Sequence, residues 1–242
     1  MTQSQTQPAS RRPALLTGLT VIAAAMFVIG LGMALFYAPT DQQGDVQRIF
    51  YVHLGAFMGG SLAFFIAAVA SVLYLIRREQ RWDTLALSSI EVGLVLAGFN
   101  IVSGAVWARP IWNTWWTWDP RLTSAAIMWL AYAAYLMLRN GIEDPGRRGR
   151  FAAVYGILAF SSVIFTTVVT RLRPDTIHPV VVGPSPQNAQ GTFEVGSSAM
   201  TVTLVFNILT YIMIAITLTW HRVRLEAFAQ RVQMLKLRLL SR

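Results

Sequence analysis

LLTGLTVIAAAMFVIGLGMALFY, residues 15–37, decides the fold of this chain. It carries no charge over 23 positions, and at about 1.5 Å per residue it exceeds the roughly 30 Å of hydrocarbon in a bilayer. A cleaved signal has a shorter apolar region of about 7–15 residues, so this stretch reads as a first transmembrane helix. The rest of the chain agrees with it. Hydrophobic residues make up 55% of the 242, charged residues 13%, and the mean hydropathy is +0.50. A soluble domain has about a quarter charged residues.

Working outward, five further apolar runs follow, at about 54–76, 85–108, 122–138, 151–170 and 199–220. The expected fold is all-α: a polytopic integral membrane protein of six transmembrane helices over residues 15–220. Residues 1–14 read as a polar cytoplasmic tail. Residues 221–242 place Leu225, Phe228, Val232, Leu235 and Leu239 at spacings of three and four, flanked by arginines and Lys236. That is a basic amphipathic helix, suited to membrane lipid on an anionic cytoplasmic leaflet, with a partner's helix as the alternative. Gly55, Gly59, Gly60 and Ser61 in the second span are explained by close helix packing. Glu91 and Asn100 lie within the third span and Asn207 within the sixth. Glu91 is about two turns from the loop carrying Arg81, near enough to reach water or a basic partner, so it reads as a structural pairing.

Charge position fixes an expected orientation. Of the 20 Lys and Arg, only Arg48, Arg109, Arg121, Arg171 and Arg173 fall in the three loops of one side. The positive-inside rule then places both termini in the cytoplasm and the loop after the third span outside, in the periplasm of a Gram-negative cell. The net charge of +9 is therefore a topology signal and makes no case for nucleic acid. Cysteine is absent, which excludes disulfides, thiolate metal sites and a CxxCH haem attachment.

That outer loop is RPIWNTWWTWDPRLT, residues 109–123, with Trp112, Trp115, Trp116 and Trp118 in seven positions. Pro110 and Pro120 bracket it, so it reads as a loop or broken short helix. An interfacial aromatic belt accounts for one or two of these tryptophans and not for four. Indoles offer flat apolar faces, while Arg109, Asp119 and Arg121 add fixed charge. His53, at the start of the second span, and His178, in the proline-rich loop 171–198, fall on the same face; His221 falls on the other and is expected to cap a helix end. Haem matches each part: axial imidazoles for iron, aromatic cover for the porphyrin, guanidinium for the propionates. His53 and His178 are the candidate axial ligands, and Arg48, Arg109, Arg121, Arg171 or Arg173 the candidate carboxylate partners. Zn²⁺ fits less well, because it wants three or four ligands, and Asp41, Asp45, Asp119, Asp175 and Glu194 are scattered.

WNTWWTWDPRLTS at 112–124 closely resembles the WWD motif of the haem-handling family of cytochrome c biogenesis. RIFYVH at 48–53 and TIHP at 176–179 are similar to that family's histidine segments. Length and span number look most like its haem exporter protein C (CcmC) branch, over nearly the whole chain. The resemblance implies a cell inner-membrane protein that binds haem b non-covalently, as cargo, at a periplasmic site. It would pass the haem to a periplasmic chaperone (CcmE-like), in company with ABC transporter subunits (CcmA/CcmB-like) and a small single-span subunit (CcmD-like). By the same resemblance His53 and His178 match axial ligands, and Trp112, Trp115, Trp116, Trp118 and Asp119 match the motif. The role implied is haem delivery rather than classical enzyme catalysis. The alternatives are a cytochrome c synthetase (haem lyase) component, whose relatives are usually much longer, a channel or transporter unrelated to haem, and a structural subunit of a respiratory complex.

Overall fold

The computed structural model describes residues 13–173, 175–178, 180 and 196–240. Residues 1–12 of the N-terminal tail, Glu194, and Pro174, Pro179, Pro184 and Pro186 of the loop lie outside the described residues. The described chain folds into α1 (Ala14–Gly32), α2 (Ile49–Arg77), α3 (Gln80–Trp112), α4 (Pro120–Asn140), α5 (Pro145–Leu172) and α6 (Ser198–Leu240). A π-helical turn, Met33–Tyr37, prolongs α1, and a 3-10 turn, Gly44–Arg48, leads into α2. All six are long and apolar enough to cross a membrane, and the described residues contain no strand.

The helix ends follow from local chemistry. Arg78 and Asn113 adopt left-handed backbone, at φ 57° and 54°, and terminate α2 and α3. Asp119 caps α4, accepting from the Arg121 and Leu122 amides, with Pro120 at the first helical position where its missing N–H costs nothing. Asp144 and Pro145 repeat the arrangement at α5. The tryptophan segment is consequently less of a loop than its prolines imply. Arg109–Trp112 form the last turn of α3, with Pro110 inside the helix two residues before its end, and the segment is helical again from Pro120. His53 lies in the second turn of α2 rather than at the start of the span, because IFYVH extends the helix to Ile49. Residues 221–240 do not form a separate helix. They continue the sixth span without a break.

Helix α2 sits centrally, packed on α3, α5 and α6, while α4 packs on α5 and α3, and α1 leans on α6. Small residues make the α2–α6 seam: a Cβ at Gly55 would fall 2.6 Å from the Tyr211 ring, and one at Gly59 would fall 2.7 Å from the Tyr211 carbonyl oxygen. Phe64 of α2 stacks on Tyr132 of α4 at 3.7 Å, beside buried Ile90 and Tyr135. Asn207 ties α6 to α1 by donating to the Gly30 carbonyl at 3.1 Å.

At the end away from the tryptophan segment, Arg139 donates two hydrogen bonds to buried Asp83, at 2.5 and 2.9 Å, clamping α4 to α3. Glu91 is paired, and its partner is Arg222 of α6 at 2.6 Å; Arg81 binds Glu79 instead. His221 does not cap a helix end. It lies mid-helix in α6 and shares a 2.8 Å hydrogen bond with Thr20 of α1.

Candidate functional site

One cavity, of about 260 Å³, opens beside the tryptophan segment and is assembled from helix faces. On α2, Phe50, His53, Leu54, Phe57 and Met58 recur at i, i+3, i+4, i+7 and i+8, which is one face of a helix. On α3, Asn100, Gly104, Trp107 and Ala108 repeat that spacing, and Trp112 follows in the last turn. Arg121, Leu122 and Ala125 of α4, with Thr167, Thr170 and Arg171 of α5, form the far wall, and His178 and Val180 close one side.

Asp119 organises the site's edge. Its Oδ1 accepts from the amides of Arg121 (2.7 Å) and Leu122 (3.1 Å) and from the Thr176 hydroxyl (3.2 Å). Its Oδ2 accepts from the Thr117 hydroxyl at 3.2 Å and lies 3.4 Å from His178 Nδ1, a contact at ion-pair range that is not a formed hydrogen bond. The same carboxylate that starts α4 therefore holds the 175–178 segment against the tryptophan loop. Trp112 meets the His178 ring edge-on at 5.2 Å. Burial lowers the His178 pKa below the ordinary 6.5; Asp119 opposes the shift and Arg121 reinforces it. The imidazole is thus neutral near pH 7, the state in which it can ligate a metal.

His53 faces the cavity from α2, with Trp107 edge-on to its ring at 5.8 Å and Ser103 and Asn100 of α3 behind it. Arg121 places its guanidinium 4.6 Å from the Phe57 ring centre and donates to the Thr166 carbonyl. Trp116, another lining residue, keeps a buried indole N–H without a hydrogen-bond partner among the described residues.

Of the site residues singled out in the sequence, the structure brings His53, His178, Trp112, Trp116 and Arg121 onto one cavity, with Asp119 supporting them. Trp115 and Trp118 do not line it; they are 58% and 77% exposed, and Trp118 rests edge-on against Trp116. Arg109 is exposed and donates to the Asn113 carbonyl at 2.8 Å. Among the other outer arginines, Arg48 is committed to the carbonyls of Ala34 and Leu35 and to Asp45, and Arg173 to Asp175, while Arg171 lines the cavity. Trp107, Phe50, Phe57, Asn100 and Ser103 are additions. Their signal was the 3.6-residue periodicity continuing from His53 and toward Trp112.

The cavity's chemistry fits a flat apolar ligand with an anionic edge and a metal centre: two imidazoles, aromatic walls, guanidinium, and an unpaired N–H donor. No three His, Asp or Glu side chains among the described residues converge to hold a bare ion. Fold and site together define a multi-pass, all-helical membrane protein built around a binding cavity at one end of its bundle.

A family model described as "Heme exporter protein C" matches residues 4–238, and the chain belongs to that family, CcmC. It is 34% identical to "Heme exporter protein C" of Paracoccus denitrificans over 153 residues, 63% of this chain and 62% of that protein. To the Rhodobacter capsulatus protein of the same name it is 32% identical over 151 residues, 61% of each. To the one from Escherichia coli K12 it is 27% identical over 212 residues, 85% of this chain and 81% of that protein. The chain thus spans about six-tenths of the length of the first two relatives in the matched regions.

Proposed function

We propose that this protein holds haem b, as non-covalent cargo, between His53 and His178 and hands it on during the maturation of c-type cytochromes. The observation that carries this reading is the convergence of both histidines, Trp112, Trp116 and Arg121 on one cavity although they are up to 125 residues apart in sequence. Bound haem would offer its iron to the two imidazoles and its faces to Trp107, Trp112 and Trp116. Arg121 and Arg171 are the candidate partners for its propionates, being the two outer arginines on the cavity wall. Exposed Trp115 and Trp118 lie beside the cavity on the surface that a recipient protein would meet.

In this reading both termini are cytoplasmic and the cavity is periplasmic, in the cell inner membrane, as the lysine and arginine distribution supports. The recipient is a CcmE-like chaperone, and CcmA-, CcmB- and CcmD-like subunits complete the assembly. Arg109, Trp115 and Trp118 would serve the handover surface, and Asp119 the positioning of His178. The role in this reading is cargo transfer.

The test is the absorption spectrum of detergent-purified protein reconstituted with haem, beside His53→Ala and His178→Ala. A bis-imidazole Soret and α/β pattern, altered or lost in both variants, is expected. If the wild type binds added haem no better than a membrane protein lacking the motif, the cavity has another ligand.

A further inference from the structure

The two histidines have different groups behind them. His178 has a carboxylate: Asp119 Oδ2 lies 3.4 Å from its Nδ1, and three other side-chain and backbone donors on Asp119 Oδ1, with Thr117 on Oδ2, fix that carboxylate in place. His53 has a hydroxyl: its Nδ1 lies 3.2 Å from Ser103 Oγ, which itself donates to the Asn100 carbonyl at 3.1 Å. A hydroxyl has one proton, and with that proton committed to Asn100, Oγ faces His53 as an acceptor. The tautomer consistent with that bond puts the hydrogen on Nδ1 and the lone pair on Nε2.

Asn100 does not reverse this assignment. Its Nδ2 lies 3.2 and 3.3 Å from the two ring nitrogens, and an in-plane approach at equal distances would run into Cε1, so the amide sits over the ring and favours neither. Its firm bond is to the His53 carbonyl, at 2.8 Å. Gly104 supplies the orientation. A Cβ there would fall 2.8 Å from His53 Cε1 and 3.3 Å from Nδ1 but 3.8 Å from Nε2. The Nδ1–Cε1 edge is thus the one nearest Gly104, and Nε2 is the nitrogen farther from it.

We propose that Ser103 is a positioning residue for His53 and that the two axial ligands are unequal by construction: His178, backed by Asp119, retains the haem, and His53, backed by a neutral hydroxyl, releases first. This rests on the haem reading above. A carboxylate 3.4 Å from Nδ1 acts on the ring through its charge, strengthening the bond to iron and favouring the ferric state; a neutral hydroxyl accepts weakly and does little of this. Cargo held by two equal, strong bonds would be slow to leave. One strong and one weak bond let the iron open on one side while the porphyrin stays seated.

The experiment uses the full-length protein in detergent, reconstituted with haem, as wild type, Ser103→Ala, Ser103→Thr and Asp119→Asn. A bis-imidazole spectrum in the wild type is the premise, and its absence overturns the haem reading and this inference together. With that spectrum present, Ser103→Ala is expected to become five-coordinate and high-spin while keeping its haem. Added imidazole, or the hydroxyl restored in Ser103→Thr, should return the six-coordinate form. Asparagine preserves the N-cap of α4, so Asp119→Asn should fold. It is expected to raise the reduction potential and to speed haem loss to apomyoglobin by about ten- to a hundredfold, more than Ser103→Ala does. A wild-type spectrum in Ser103→Ala, or faster haem loss from it than from Asp119→Asn, overturns the inference and leaves the haem reading standing. Should Ser103→Ala fail to fold, an unchanged potential in Asp119→Asn overturns it independently.

Discussion

At the scale of single residues, the site depends on atoms that are missing as much as on those present. Gly104 leaves the space that the His53 ring occupies, and the ring is hemmed by Trp107 and Ser103, so it has little room to yield. Gly104→Ala is expected to abolish the bis-imidazole spectrum while the helical circular dichroism stays intact. Gly18→Ala, where an added Cβ meets nothing within 4 Å, should leave both unchanged. His178 gives a pH prediction whose sign follows from its environment. Burial is the largest cause of its lowered pKa, so the folded state resists protonation that the unfolded chain accepts at about the ordinary 6.5. The stability of the haem-free protein should be flat in this group above that pH and fall as pH drops below it. Thermal unfolding from pH 7.5 to 5 should show a decline that is shallower in His178→Gln.

At the scale of helices, two acidic residues carry most of the burden. Asp119 caps α4, anchors Thr176 and backs His178. Asp119→Ala should cost about 1 kcal/mol from the cap alone, and it should lose haem as well, whereas Asp119→Asn should lose only the second property; thermal unfolding with and without haem separates the two. Asp83 and Arg139 form a buried bidentate pair between α3 and α4. Removing one partner strands a charge, so Asp83→Ala should destabilise by about 3–5 kcal/mol, and Asp83→Leu with Arg139→Met should recover much of the loss. An equal loss in the single and double variants would show that the charge itself is not what the clamp protects.

Helix existence was legible because each span is a long apolar run, and the boundaries drifted where polar or mixed flanking segments, Ile49–His53 among them, belong to a helix. Gln80–Thr84 join α3 because the left-handed Arg78 ends α2 so close to it, and residues 221–240 join α6 because nothing after Trp220 breaks a helix. The histidines and tryptophans of the site were legible as unusual residues on one face. Their division of labour was not, since which tryptophans line the cavity depends on where α3 stops and α4 starts. Nor could spacing in sequence pair Glu91 with Arg222, 131 residues away.

At the scale of the whole molecule, the six helices and the charge distribution make an orientation that can be tested directly. The chain has no cysteine, so a single introduced thiol is a clean reporter. Asn113→Cys, in the exposed turn after α3, should label from outside intact spheroplasts with an impermeant maleimide, and Glu143→Cys, in the exposed turn before α5, only after lysis. The opposite pattern would invert the bundle and move the cavity to the cytoplasm. Helix α6 sets a further dimension. Its 43 unbroken residues measure about 65 Å, roughly twice the thickness of the hydrocarbon it crosses. The portion from His221 to Leu240 adds about 30 Å of helix, its first half tied to α3 by Arg222 on Glu91 and by Gln230 donating to the Thr84 hydroxyl, so it can lie along the leaflet only by bending. Since Ile208 on the same helix lines the cavity wall, one unbroken helix joins the cavity to those contacts on α3.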